Sequence, residues 1–341
     1  MSCPGGIPDW TGVGLESLNL TMLMNAPWEC TLCTCPLKVD GILIGMMEYV
    51  PDLGGNIFFS VLFGICLLFQ LYLGFRNKTW GYLIGMGGGL ILEVVGYIGR
   101  ILLRDTMFED TYFIMSLVCL TIAPAFIAAA IYLSLSRMVI IYSPSLARFR
   151  PQVYTYIFIL GDFIALLLQA AGGAIASLAE PMSQLQRTGI NIMIAGVAWQ
   201  VFVLLLFGAL SLDFWVNGAR RARKQGTLNP AFAHLREKKV FQPGFIAAVF
   251  AAALFVFVRS VFRCAELSEG FDGPLANDEV TFMVLEGTMI ALAAILLTAA
   301  HPGVTVGEEG WKAASWKMNK NEKKGSGNGG EKGVSDYSSS N

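Results

Sequence analysis

The sequence predicts an all-α, polytopic membrane protein with seven transmembrane helices, its N-terminus outside the cytosol and its C-terminus inside. Three observations predict it: a composition too apolar for a soluble domain, seven apolar runs of spanning length, and a lopsided distribution of Lys and Arg. Of 341 residues, 55% are hydrophobic and 14% charged, against roughly 25% charged in soluble globular chains. A helix needs about 20 apolar residues to cross a hydrocarbon core of about 30 Å. Only helices suit such runs, because unpaired backbone groups are costly in lipid and the short alternating strands of a membrane barrel are missing.

In chain order the runs are Gly54 to Phe75, Trp80 to Leu103, Tyr112 to Tyr142, Gln152 to Leu178, Gly189 to Leu212, Phe241 to Phe262 and Glu279 to Ala300. Each is bounded by charge, Pro or Gly. Residues 1–30 lack the basic start and continuous apolar core of a secretory signal, so the first span has to begin insertion. The third run exceeds a minimal span and contains Pro124, which predicts a tilted or kinked helix with one end emerging into the cytosol. The expected organisation is an extracellular segment 1–53, a membrane domain 54–303 and a disordered cytosolic tail 304–341 rich in Lys, Glu, Gly, Ser and Asn. No internal repeat stands out.

With the N-terminus outside, the cytosolic segments hold seventeen Lys and Arg and the outer segments four. The positive-inside rule therefore sets the orientation. The same rule accounts for the basic stretch from Arg220 to Lys239, so no nucleic-acid partner is read from it. Asn19-Leu20-Thr21 is an N-glycosylation sequon, usable only in the secretory lumen. Cys3, Cys30, Cys33 and Cys35 share that segment and are disulfide candidates, with Cys264 of the outer sixth loop as a further candidate partner. Zinc binding by Cys30, Cys33 and Cys35 is the alternative, with no His nearby.

Ionisable groups inside a span cost about 2.5–3.5 kcal/mol each at mid-helix on insertion scales, so each needs a reason. In the second span Glu93, Tyr97 and Arg100 fall at i, i+4 and i+7 on one face, an inward polar stripe if Arg100 does not merely snorkel outward. The fourth span carries Asp162 and Gln169 two turns apart; the fifth carries Asn191 and Gln200, residue types that more often join helices than bind ligands. Arg259, Arg263 and Glu266 end the sixth span as the densest charge cluster, either an ion-pair network at the outer mouth or a solvated helix end. Glu286 lies about a turn and a half inside the seventh span, and His301-Pro302-Gly303 terminates that helix.

Catalysis finds little support. Two His, His234 and His301, cannot assemble an intramembrane zinc site, and the glycines Gly85, Gly87, Gly88 and Gly89 read as helix packing rather than a phosphate loop. No span contains Lys, which excludes a retinal Schiff base. No metal or cofactor is expected. Transport or reception of an amphipathic ligand remains.

Several runs taken together carry a resemblance: Glu93-Val94-Val95-Gly96-Tyr97-Ile98-Gly99-Arg100, Ala123-Pro124-Ala125-Phe126 onward, Asp162-Phe163 through Gln169-Ala170-Ala171-Gly172-Gly173, Gln200-Val201, Arg259-Ser260 through Arg263 and Glu266, and His301-Pro302-Gly303. In this order, across about Phe58 to Gly303, the chain resembles the fungal lipid-translocating exporter family of sphingoid long-chain-base transporters and aminocholesterol-resistance proteins. The resemblance implies a seven-span protein of the fungal plasma membrane, or alternatively a vacuolar or other endomembrane, that exports membrane lipids such as sphingoid long-chain bases and confers drug resistance. Glu286 stands where many relatives are expected to carry Asp, which keeps the acid and lengthens its reach. A buried acid, Glu93, Asp162 or Glu286, would then hold the cationic amine while the tail stays in lipid, and Arg259, Arg263 and Glu266 would shape the exit. The alternative is a seven-helix lipid-responsive receptor without transport activity.

Overall fold

A computed structural model describes residues 49–107, 110–142, 151–179, 183–218, 244–269 and 277–307, together with 37–39, 42–43, 47, 220, 273, 275 and 311. Seven of its helices are long and apolar enough to cross a membrane. We number them α1 (Leu53–Asn77), α2 (Trp80–Leu103), α3 (Asp110–Tyr142), α4 (Pro151–Leu178), α5 (Gln184–Asp213), α6 (Ile246–Glu269) and α7, which starts at Glu279–Phe282 and resumes as Met289–Ala299. A one-turn helix α8, Pro302–Thr305, follows. A minimal antiparallel ladder, β1 (Lys38–Val39) with β2 (Ile42–Leu43), precedes the bundle. The end of the bundle where α1 begins and α7 begins is called the N-face, and the opposite end the C-face.

Local chemistry sets the helix ends. The Asp52 carboxylate caps α1 by accepting from the Gly55 N–H at 2.6 Å, and Ser183 caps α5 by accepting from the Gln186 N–H at 3.1 Å; each satisfies a donor that the first turn leaves free. Lys78 adopts a left-handed conformation, φ 52°, and lets α1 reverse into α2 within two residues. Asp278 caps α7, and the Thr281 hydroxyl also donates to it. That hydroxyl is the main cause of an Asp278 carboxyl held below its ordinary range.

Packing follows the small residues. Helix α2 lies close on α3: a Cβ at Gly89 would stand 2.7 Å from the Ile127 side chain, and one at Gly96 2.7 Å from Leu120. Between α4 and α5, a Cβ at Gly172 would stand 2.6 Å from the Gly189 carbonyl and 2.6 Å from the Met193 nitrogen. In lipid such close backbone approach replaces the hydrophobic drive that packs soluble helices. The outward faces are largely apolar: Phe58, Leu68, Phe69, Ile84, Leu160, Leu167 and Leu205 are all exposed, a belt suited to acyl chains rather than water.

Three expected boundaries shift. The sixth span was expected over Phe241 to Phe262, yet α6 runs Ile246–Glu269. Cys264 is therefore helical instead of lying in an outer loop, and Arg263 and Glu266, expected at the very end of the span, lie within the helix and pair with each other at 2.7 Å. Helix α5 begins a turn earlier than expected, at Gln184, and runs into a π-helical turn, Phe214–Gly218. The seventh span is not one regular helix: a π-helical turn, Met283–Thr288, interrupts it. At its end His301 does terminate the helix, and its Nδ1 then accepts from the Gly303 N–H at 3.0 Å to start α8. Chain beyond the expected membrane domain also packs on the core, through Val306 and Trp311. Asn19, Cys3, Cys30, Cys33 and Cys35 lie outside the described residues. Cys264 is half-buried in α6 with a free thiol.

Candidate functional site

Pro124 sits inside α3 without breaking it. Proline has no N–H, so the carbonyl four residues earlier loses its helical donor. That carbonyl belongs to Leu120, and the Arg259 guanidinium takes the position, its Nη2 donating to the Leu120 oxygen at 2.8 Å. The same Nη2 donates to Glu286 Oε1 in an ion pair whose two side chains are both almost fully buried. Glu286 reaches Arg259 from the π-helical turn of α7, where the widened turn redirects a side chain that a regular helix would aim elsewhere. Gly287, in the same turn, leaves room for the Tyr97 hydroxyl: a Cβ there would stand 2.6 Å from that oxygen.

From α2, the stripe of Glu93, Tyr97 and Arg100 faces this pair, all three buried. The Tyr97 ring stacks on Phe59 and Phe63 of α1, centroids 5.2 and 5.7 Å away. Glu93 lies within electrostatic reach of Arg259 and Glu286 but makes no ion pair among the described residues. Ten residues separate Glu93 from the N-face end of α2, about 15 Å at 1.5 Å per residue. Arg100 does not snorkel. Its Nε donates to Asn56 Oδ1 at 3.2 Å and its Nη2 to the Tyr49 hydroxyl at 2.8 Å, and its guanidinium lies 4.0 Å above the Phe282 ring. Tyr49 thus ties the segment before α1 to the site. Burial pushes its phenol above the ordinary range, against the pull of the Arg100 charge.

Arg100, Arg263, Glu266 and Glu286 line one cavity at the N-face, with apolar walls from Phe113, Leu117, Leu120 and Phe282. Its empty space, counted with the open mouth, is about 540 Å³. Three buried polar atoms have no hydrogen-bond partner among the described residues: Oε2 of Glu286, which lines the cavity, and Tyr97 Oη and Arg259 Nε in the cluster around it. Such groups are the exception in folded proteins and mark places where a ligand, water or second arrangement completes the pairing.

Seven of the ten expected residues therefore converge: Glu93, Tyr97 and Arg100 from α2, Arg259, Arg263 and Glu266 from α6, and Glu286 from α7. The remaining three lie apart. Asp162 on α4 accepts from the Tyr132 hydroxyl at 2.8 Å, in a nest of Tyr132, Phe158 and Phe207 rings. Gln169 donates to Gln200 at 3.3 Å across the α4–α5 contact, the helix-joining role its residue type suggested. Sequence reasoning missed Asn56, Tyr49, Phe282 and the Leu120 carbonyl. Only the last had a usable signal, the proline four residues on.

Residues 86–309 match the family described as RTA1-like protein. The chain is 31% identical over 277 residues to the sphingoid long-chain base transporter RSB1 of Saccharomyces cerevisiae, covering 74% of this chain and 72% of that one. From the same yeast, the protein RTM1 is 29% identical, covering 64% of this chain and 67% of its own. Protoporphyrin uptake protein 1 is 30% identical, covering 61% and 64% respectively. No solved structure matches.

Proposed function

Because this chain belongs to the family of RTA1-like proteins, we propose that it translocates amphipathic lipids, sphingoid long-chain bases above all, across the membrane in which it is embedded. The plasma membrane of a fungus is the proposed location, with the N-face outward and the tail cytosolic, a reading that the distribution of basic residues supports. The observation that carries the reading is the N-face cavity, with apolar walls above a floor of buried carboxylates. A sphingoid base is a cationic amine on a long hydrocarbon chain. Its amine fits the carboxylate of Glu286 or Glu93, and its tail fits the apolar walls and the lipid beyond them. Arg100, Arg263 and Glu266 line the mouth and would guide the headgroup in or out.

The test is reconstitution of the purified protein in vesicles with a labelled long-chain base, scored for movement between leaflets. Saturable acceleration over protein-free vesicles is expected, and loss of that acceleration in the Glu286→Gln variant. Saturable binding without movement would instead make the protein a lipid-responsive receptor.

A further inference from the structure

Glu286, on the cavity lining, belongs to a buried group of two carboxylates and one guanidinium, here called the floor. Arg259 is paired to Glu286, and Glu93 stands beside them without an ion pair. The groups facing Glu93 are otherwise neutral or distant. Helix α1 presents the Phe59 and Phe63 rings behind Tyr97; α3 offers the Cys119 thiol and a Leu120 carbonyl already taken by Arg259. On α2, Tyr97 is a neutral phenol and Arg100 is drawn to the N-face by Asn56 and Tyr49. On α6, Arg263 is occupied by Glu266. A buried carboxylate with no cation of its own is expensive to ionise. The charge count therefore calls for either a proton on Glu93 or one more cation in the site.

Resting on the transport reading above, we propose that this protein exchanges its cationic cargo for a proton, with Arg259 passing from Glu286 to Glu93 as the cargo binds. In the resting arrangement Glu286 is ionised and paired to Arg259, and Glu93 is a neutral acid, so the floor carries no net charge. The ammonium group of the cargo arrives at Glu286, whose Oε2 is buried without a partner among the described residues. Arg259 is then free to pair with Glu93, which gives its proton to water that enters through the cavity. The floor again carries no net charge: two carboxylates face one guanidinium and one ammonium. One cation has entered and one proton has left. The Nε of Arg259 and the hydroxyl of Tyr97, both without a partner among the described residues, are donors available to this second pairing. Two carboxylates competing for a single guanidinium make the two occupancies mutually exclusive, which is the condition for coupled exchange.

The experiment titrates the full-length protein in detergent with a sphingoid long-chain base in weakly buffered solution containing a pH-sensitive dye. The N-acetylated, uncharged analogue serves as the second probe. Wild-type protein is expected to release about one proton per base bound, to bind the base more tightly as pH rises, and to release none with the uncharged analogue. Glu93→Gln, verified as folded by its thermal transition, is expected to release no proton and to bind the base at least tenfold more weakly, without pH dependence. Wild-type binding of the base with no proton released overturns the exchange and leaves the transport reading intact. Proton release that persists in Glu93→Gln overturns the role of Glu93. If wild-type protein binds no base at all, the transport reading falls and the exchange falls with it.

Discussion

At the scale of single residues, the Arg259–Glu286 pair is the feature with the largest expected consequences. Removing one member of a buried ion pair strands the other charge and costs about 3–5 kcal/mol, whereas replacing both by apolar side chains of similar volume is often neutral. Arg259→Met is therefore expected to lower the thermal stability of the purified protein severely. The double variant Arg259→Met/Glu286→Met is expected to recover most of that loss and to remain inactive in the vesicle assay. Recovery of stability without recovery of transport separates the functional role of the pair from its structural one; equal instability of single and double variants would count against the pairing. Much of this cluster was legible in the primary structure, because a charge in an apolar run is conspicuous and helical spacing puts Glu93, Tyr97 and Arg100 on one face. Asn56 and Tyr49 were not legible. Nothing in their neighbourhood along the chain shows that Arg100, 44 and 51 residues away, needs acceptors there.

At the scale of the element, two irregularities build the site. Pro124 in α3 exposes the Leu120 carbonyl, and the π-helical turn in α7 turns Glu286 toward the guanidinium that this carbonyl helps to hold. Pro124→Ala restores the missing N–H, so the Leu120 carbonyl gains a helical donor that competes with Arg259. The expected result is a helix at least as stable as the native one, since Pro is the poorest helix former. Transport is expected to fall by roughly tenfold, in line with the loss of a hydrogen bond to a charged group at about 1.5–3 kcal/mol. Thermal unfolding and the vesicle assay, run on the same preparation, measure the two effects separately. Unchanged transport would mean that Arg259 does not depend on the carbonyl. Helix existence was readable throughout. The π-helical turn was not, because the neighbours of α7, helices α6 and α1, are set by the tertiary packing and not by residues nearby in the chain.

At the scale of the whole molecule, seven antiparallel helices put the two ends of the bundle on opposite sides of the membrane. The proposed orientation makes a simple prediction. In cells of a secretory-competent host, Asn19 is expected to carry an N-linked glycan that endoglycosidase removes, with the electrophoretic shift absent from Asn19→Gln. A cysteine placed at Ser338 is expected to react with a membrane-impermeant maleimide only after permeabilisation. Labelling of Ser338→Cys in intact cells would reverse the assignment.

The number of spans, their order and the apolar belt were readable from composition and run length, since a bilayer imposes one length and one polarity on any helix that crosses it. The grouping of polar residues into sites was not readable, because it depends on which helices are neighbours. Glu93 and Glu286 meet across α2, α6 and α7, while Asp162, equally conspicuous along the chain, joins Tyr132 elsewhere in the bundle. Hydropathy constrains each helix against lipid, and only the packing of small residues between helices chooses which polar faces come together. The seven-span reading with which the sequence begins is thus the part that lipid dictates; the cavity with its shared guanidinium is the part that packing dictates.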